Sequence, residues 1–449
     1  MLKCAVVTPV FKSGDPCSLQ NYRPISNLPI FSKVFERCIH NRLYKFVTKF
    51  SIISPCQFGF MKGLSTESAV LSLIEYLYDA LNNKEIAINV FVDFRKAFDT
   101  INHVLLFKKL ELYGIRGLPL DLLRSYFFNR SQRVRIGTSL SSTASIGIGL
   151  PQGSILGPIL FLLFINDLPN FSNIINTVLY ADDTTLSIRG KSDLNLINNC
   201  NDQLKLFHSW SISNRLTINT DKTYYLIVTN LKLNHDLPGL TIGLDQIQSK
   251  SFEKFLGVVV DEGLKFDSHL SMLCGKVSRS VGVLSRLRPY LPLNTMISLY
   301  YTFIYPYLIY CNLIWGNTFE THLKPLQILQ KKALRYINNA PYNSHTNELF
   351  YNNRILKLKD INTYFQSIFM FKSDRDSFLP THSYNTRNRS NLNPNFQRLT
   401  TTQRSLSYSA PMVWNGLPEE LKTCPSLPIF KRNLKSYLIN KYANDESVQ

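Results

Sequence analysis

Acidic side chains set into apolar strands are the strongest constraint in this 449-residue sequence. Residues 87–92 read AINVFV, a short apolar run that suits a buried strand, and Asp93 ends it. Residues 177–188 read as a hairpin interrupted by two adjacent acids, Asp182 and Asp183. A carboxylate beside a buried strand is costly unless it is paired or bound to a metal, and two neighbouring acids repel each other as well. Asp is favoured in turns, so Asp182–Asp183 read as turn acids on that ground alone. The other reading is a site for hard cations. Mg²⁺ takes a few carboxylates together with substrate phosphates, and a pair of such ions ~3.5–4 Å apart serves phosphoryl transfer in polymerases and nucleases.

The charge balance narrows the partner. Lys and Arg number 50 against 31 Asp and Glu, a net charge of +19, while 45% of residues are hydrophobic. The apolar content excludes a disordered polycation, so the positive excess lies on the surface of a folded chain and predicts a polyanionic partner, nucleic acid or an acidic membrane. The eight cysteines form no C-x-x-C pair and read as free thiols in a reducing compartment. The N-terminus is no signal peptide, because Pro9 interrupts its short apolar stretch. Residues 299–315 (LYYTFIYPYLIYCNLIW) are long enough to raise a membrane question. Pro306, Asn312, many Tyr and basic flanks make them an aromatic-rich buried helix pair broken at Pro306 instead, so no membrane partner is expected.

Along the chain, strands and helices share one core, which predicts an α+β domain. Two short strands flank a turn at 12–16, and 31–50 reads as an amphipathic helix through Val34, Phe35, Cys38, Ile39, Leu43 and Phe46. A second helix covers 65–81, helical patterns recur at 104–113, 120–128, 155–165 and 194–213, and strands are expected at 224–229 and 253–260. From Ser268 the chain turns helical, with no Asp or Glu before Glu320 while Lys276, Arg279, Arg286 and Arg288 lie in the interval. A helix bearing only positive charge suits a polyanion, a solvated face being the alternative. Asp374 and Asp376 sit in a charged loop, and the tail ends in a helix over 427–442.

Motifs in order give the acids a setting. Phe91-Val92-Asp93-Phe94-Arg95-Lys96-Ala97-Phe98-Asp99 resembles the first palm motif of reverse transcriptases, and Gly149-Leu150-Pro151-Gln152-Gly153-Ser154 resembles their second. Tyr180-Ala181-Asp182-Asp183 resembles the third, Asn219-Thr220-Asp221-Lys222-Thr223 the fourth, and Phe255-Leu256-Gly257 the fifth. Upstream, Asn21-Tyr22-Arg23-Pro24-Ile25-Ser26 and Gln57-Phe58-Gly59-Phe60 are similar to fingers motifs of the LINE-type, non-LTR retrotransposon branch. Residues 299–315 and the tail SYNTRNRSNL…VWNGLP resemble jockey-like elements.

That resemblance implies a right-hand polymerase, with fingers and palm over 1–265, a helical thumb over 266–345 and a basic helical extension over 346–449. Asp93, Asp182 and Asp183 would hold two Mg²⁺ ions, the Phe94 carbonyl helping. Phe98 would pack under the nucleotide sugar and crowd a 2′-hydroxyl. Gln152 and Gly153 would let backbone approach the incoming nucleotide, at a helix N-terminus that attracts phosphate. Lys222 would protonate the pyrophosphate leaving group, and Lys12 and Arg23 would clamp the triphosphate; for these three, ordinary surface cations are the alternative. Leu256 and Gly257 would support the primer end. The implied partners are an RNA template, a DNA primer and deoxynucleoside triphosphates, with the protein intracellular and nuclear when it acts on chromosomal DNA. Full-length members carry an apurinic-type endonuclease upstream, and nothing here resembles it. Two rivals stand beside this reading. One is an RNA-dependent RNA polymerase using Asp99 to greet the 2′-hydroxyl. The other is a catalytically silent or co-opted nucleic-acid binder of the same fold.

Overall fold

The computed structural model describes residues 3–233, 238–373, 391–394 and 396–444; Asp374, Asp376 and most of the tail segment 382–398 lie outside the described residues. The chain forms two compact units. The first takes in Met1–Ser65, Ile88–Tyr225 and Leu233–Ser249, and the second Thr66–Ala87, Leu226–Lys232 and Lys250–Gln449.

In the first unit, β1 (Cys4–Phe11) and β2 (Tyr22–Asn27) pair antiparallel, with Val10 opposite Arg23. β1 also runs parallel to β4 (Ser131–Ile136). The chain leaves β2 into helix α1 (Ile30–Lys49). The central strand is β3 (Ile86–Val92), in which all seven residues are buried. Its one polar residue, Asn89, is satisfied because Ser187 Oγ donates to Asn89 Oδ1 at 2.7 Å. β3 lies inside a five-stranded sheet with β5 (Asn176–Tyr180), β6 (Asp183–Gly190), β7 (Tyr224–Val228) and β8 (Gln248–Ser249), in the order β8-β7-β3-β6-β5. Helix α3 (Gly157–Ile165), GPILFLLFI, is buried along nearly its whole length, as its unbroken apolar sequence requires.

Helix α1 differs from the sequence expectation. Val34, Phe35 and Cys38, expected on its inward face, are exposed, while Glu36 is buried together with Leu43 and Val47. Glu36 tolerates burial because its carboxylate is fully engaged: Tyr126 Oη donates to Oε1 at 2.8 Å and Ile155 N donates to Oε2 at 2.6 Å.

The second unit contains α2 (Thr66–Asn82), the hairpin β9 (Phe252–Phe255) and β10 (Val258–Asp261), and helix α4 (Asp267–Leu287), which packs against the helix Glu320–Ile337. Residues 299–315 do form broken helix: Leu293–Phe303, Tyr305–Ile309 and Asn312–Trp315 follow one another. The first break falls at Ile304 rather than at Pro306, which is accommodated in the first turn of the next helix, where no donor is lost. No described helix is long and apolar enough to cross a membrane. The described part of the C-terminal stretch folds onto α2. Glu75 accepts from the backbone N–H groups of Leu406 (2.7 Å) and Ser407 (3.3 Å), capping the helix Leu406–Asn415 from 331 residues away.

His269 on α4 is buried against Trp315, with ring centroids 5.8 Å apart, and its Nδ1 accepts from Val259 N at 3.3 Å. Burial, with Lys276 and Lys254 nearby, holds its imidazolium pKa down to about 4. The unfolded chain, titrating near 6.5, therefore binds more protons between these values, and stability rises with pH through that window. Lowering the pH from 7 to 4 is expected to cost about 3 kcal/mol at this residue. Chemical denaturation of wild type and His269→Phe across pH 4–7 checks it: the variant must lose part of the acid sensitivity, and identical pH profiles would refute the assignment.

Candidate active site

The first acid is placed by the sheet and a braced loop. Asp93 directly follows β3, and its backbone N–H donates to Thr223 Oγ1 at 3.3 Å. Asn219 grips the same residue twice: its N–H donates to the Asp93 carbonyl at 2.8 Å, and its Nδ2 donates to Asp93 Oδ2 at 2.8 Å. Thr223 Oγ1 in turn donates to the Asn219 carbonyl at 2.9 Å. The loop so held carries Lys222 exposed at the end of a short 3₁₀ turn.

The other two acids sit at a tight hairpin. Tyr180 pairs with Asp183, leaving Ala181 and Asp182 as the two-residue turn, with Ala181 in left-handed backbone at φ 56°. Gln57 holds this conformation. Its Oε1 accepts from Ala181 N at 3.0 Å and from Gly59 N at 2.8 Å, and its side chain is buried. The backbone on either side is tied as well, Phe58 N to the Leu179 carbonyl at 2.8 Å and Leu179 N to the Cys56 carbonyl at 2.9 Å. At Gly59 the approach is so close that a Cβ would lie 2.3 Å from Ala181 N. Sequence reasoning quoted Gln57-Phe58-Gly59 as a fingers motif but missed that Gln57 positions the acids. The available signal was a Gln–Gly pair upstream of a turn that needs left-handed backbone.

Electrostatics tie the three carboxylates together. Asp182 and Asp183 keep an exposed edge, yet protein crowds their other sides. Lost hydration and the charges of Asp182 and Asp93 push the Asp183 carboxyl up to about 6. Asp182 is raised too, first by lost hydration and then by Asp93, while Arg23 and Lys12 oppose the rise. Lys12 and Arg23, both exposed on the β1–β2 hairpin, are thus close enough to act on Asp182. Among the described residues no three His, Cys, Asp or Glu side chains converge into a preformed metal cage. The donor set nevertheless suits a divalent ion. Neighbouring negative charge raises the cost of keeping Asp182 and Asp183 ionised, and a cation between the carboxylates relieves it.

A second loop lies beside them. Phe98 is half-buried and stacks on Phe161 of α3, centroids 4.2 Å apart at 17°, which fixes its ring plane. Phe94 points its ring into the core near Phe207, so only its backbone is available to a ligand. Gln152 Nε2 donates to Asp99 Oδ1 at 2.8 Å, and its carbonyl accepts from Ser26 N at 2.7 Å. Gly153 is at φ 111°, and a Cβ there would lie 2.7 Å from the Ser26 carbonyl oxygen. Asp99 is raised by burial and engaged by Gln152. A cavity of about 280 Å³ opens here, lined by Pro24, Ser26, Asp99, Gln132, Pro151 and Gln152 among others.

The remaining expected residues belong to the second unit. Leu256 (φ 44°) and Gly257 (φ 88°) form the turn of the β9–β10 hairpin, and Tyr310 Oη donates to the Leu256 carbonyl at 2.6 Å. Arg279 and Arg286 are exposed on α4. Lys276 lies over the Tyr307 ring at 5.6 Å, and Arg288 over Tyr336 at 6.0 Å while donating to Asn339.

Comparison with known proteins places these features. The family described as "Reverse transcriptase (RNA-dependent DNA polymerase)" matches residues 11–260. The RNA-directed DNA polymerase from mobile element jockey of Drosophila melanogaster is 30% identical over 375 residues, covering 80% of this chain and 40% of that protein. The probable RNA-directed DNA polymerase from transposon X-element of the same species is 30% identical over 352 residues, covering 76% and 38%. The chain thus spans about two-fifths of the length of these curated relatives.

Gly59→Ala is expected to destabilise the first unit by about 1–3 kcal/mol, because the added methyl meets backbone rather than a side chain that can yield. Gly275→Ala, on α4 where a Cβ meets nothing within 4 Å, is expected to be neutral or to stabilise by up to about 1 kcal/mol. Urea unfolding of both variants checks the pair, and equal midpoints would remove the claimed close approach.

Proposed function

This chain belongs to the reverse transcriptase family, and on that footing we propose that it is the RNA-directed DNA polymerase of a non-LTR, jockey-like retrotransposon. It would extend a DNA 3′-end on an RNA template with deoxynucleoside triphosphates, in the nucleus when the target is chromosomal. The observation that carries the reading is the coupling of Asp93, Asp182 and Asp183, with Lys12 and Arg23 acting on the same acids. Asp93, Asp182 and Asp183 would hold the divalent ions, two Mg²⁺ in the proposed mechanism. When bound, such ions activate the attacking oxygen and steady the leaving one.

The chain's own residues divide the remaining work. Lys12 and Arg23 bind the triphosphate, Arg being suited to paired contacts with phosphate oxygens. Asn219 and Thr223 keep Asp93 oriented. Lys222 stands on that loop to give a proton to the departing pyrophosphate. Phe98, its plane fixed by Phe161, sets a wall where a 2′-hydroxyl would stand. Gln152 and Gly153 shape the nucleotide floor from the loop before α3. Leu256 and Gly257 support the primer end, and Lys276, Arg279, Arg286 and Arg288 hold the duplex by its phosphates. Fingers and palm occupy 1–265 in this reading, the thumb 266–345 and a basic extension 346–449. Asp99 is occupied by the Gln152 amide, which disfavours the RNA-polymerase rival that needs it free for a 2′-hydroxyl.

Primer extension with Mg²⁺ on an RNA template tests the proposal. Asp182→Ala should reduce extension by roughly three orders of magnitude or more, since metal-held oxygens contribute several kcal/mol to the transition state. Equal signal from wild type and variant, or none from either, leaves the silent nucleic-acid binder. Phe98→Ala should keep extension but lose roughly 10–100-fold in discrimination against ribonucleotides, a steric difference of about 1–3 kcal/mol. A preference of the wild type for ribonucleotides would instead favour the RNA polymerase.

A further inference from the structure

Helix α1 presents its apolar side to solvent. Ile30 is 78% exposed, Phe31 72%, Val34 55% and Phe35 61%, and Cys38 continues the stripe. At 100° per residue these side chains cover one face, opposite the face that buries Glu36, Leu43 and Val47. Lys33 and Arg37 flank the stripe, and Arg42, Lys45 and Lys49 extend it over the next two turns, all exposed. Glu36 is the helix's only acid, and it points inward to Tyr126 and Ile155.

We propose that this face of α1 is a track for single-stranded RNA, the unpaired part of the template. The proposal rests on the polymerase reading for the word template alone. A ligand for this face must offer flat apolar surface to two rings and, beside it, repeated negative charge. Single-stranded nucleic acid supplies both on one chain, since bases stack on aromatic side chains and phosphates meet the cations. Phe31 and Phe35 stand one turn apart, about 6 Å along the axis, so successive bases reach successive rings. A second copy of this chain fits worse, because it brings the same cations and no acid to the interface.

The position agrees with that role. β2, which carries Arg23, passes into α1 through Leu28 and Pro29. The first turns of α1 are fastened to the loop before α3 by the Glu36–Ile155 bond. That same loop, through Pro151 and Gln152, lines the 280 Å³ cavity together with Pro24 and Ser26 of β2.

The test uses the full chain and a fluorescent 12-nucleotide oligouridylate, with anisotropy read at fixed salt. Phe31→Ala/Phe35→Ala is expected to weaken binding at least tenfold, and Arg37→Gln/Arg42→Gln to flatten its salt dependence. Leu244→Ala, fully exposed but off this face, is expected to change nothing. Photocrosslinking wild-type protein to the same RNA carrying 4-thiouridine keeps the proposal falsifiable if the double variants fold poorly: the crosslinked peptide must contain Phe31 or Phe35. Unchanged affinity in folded variants, no binding by wild type, or crosslinks confined to other segments overturns it and assigns the face to a protein partner. Neither readout requires extension, so an inactive polymerase with an intact crosslink sinks the catalytic reading and leaves this one standing.

Discussion

Three carboxylates brought to one edge of an apolar sheet repel one another, and the first unit is arranged to hold them there regardless. The strain shows in the Asp183 carboxyl, pushed up to about 6 by lost hydration and its two neighbours. Left free, such groups would rotate outward or the turn would relax. Each is instead held by neutral hydrogen-bonding groups rather than by a counter-charge. Asp93 follows a fully buried strand and is gripped by Asn219 and Thr223. Asp182 and Asp183 sit on a turn locked by the Gln57 amide. Fixing the acids through neutral donors and acceptors leaves their charge unspent, and that is the condition for binding a divalent cation strongly.

The same economy explains why segments far apart in sequence touch where they do. Gln57 and Gly59 meet Ala181, Ser26 meets Gln152 and Gly153, and Glu36 meets Ile155. In each case a segment from the first 65 residues meets the backbone of a loop far along the chain, and in two of them only glycine leaves room. Such contacts tolerate little drift, because backbone cannot retreat from an added methyl as a flexible side chain can. The loops that carry the acids and line the cavity are therefore positioned by segments from the first 65 residues.

Much of this was legible in the sequence where local pattern and burial agree. β3 and α3 are unbroken apolar runs, and such runs have nowhere to go but the core. The acids stood out because they interrupt that pattern. Helix α1 was misread for the converse reason. Its apolar residues recur at helical spacing, but periodicity gives a face and not its direction. The direction was set by Tyr126 and Ile155, 90 and 119 positions away in the sequence, which satisfy Glu36 and draw the polar side inward. Gln57 was hidden similarly, since its partner is a backbone N–H at Ala181 that no side-chain pattern advertises. The tie between Glu75 and Leu406–Ser407 is a long-range cap of the same kind, and it makes part of the C-terminal stretch integral to the second unit.

The net charge of +19 takes on a division of labour once these positions are known. Lys12 and Arg23 act on the acids directly and lower the cost of keeping Asp182 ionised. The cations of α1 and α4 lie on surfaces with almost no acid of their own, Glu36 being buried and Asp267 standing at the start of α4. Two positive charges thus act on the acids, while those of α1 and α4 form open, acid-poor faces. Because exposed charges are screened within about 10 Å at 0.1 M salt, the two groups respond differently to ionic strength. Salt screens the open faces strongly, while the tuning of the crowded acids persists.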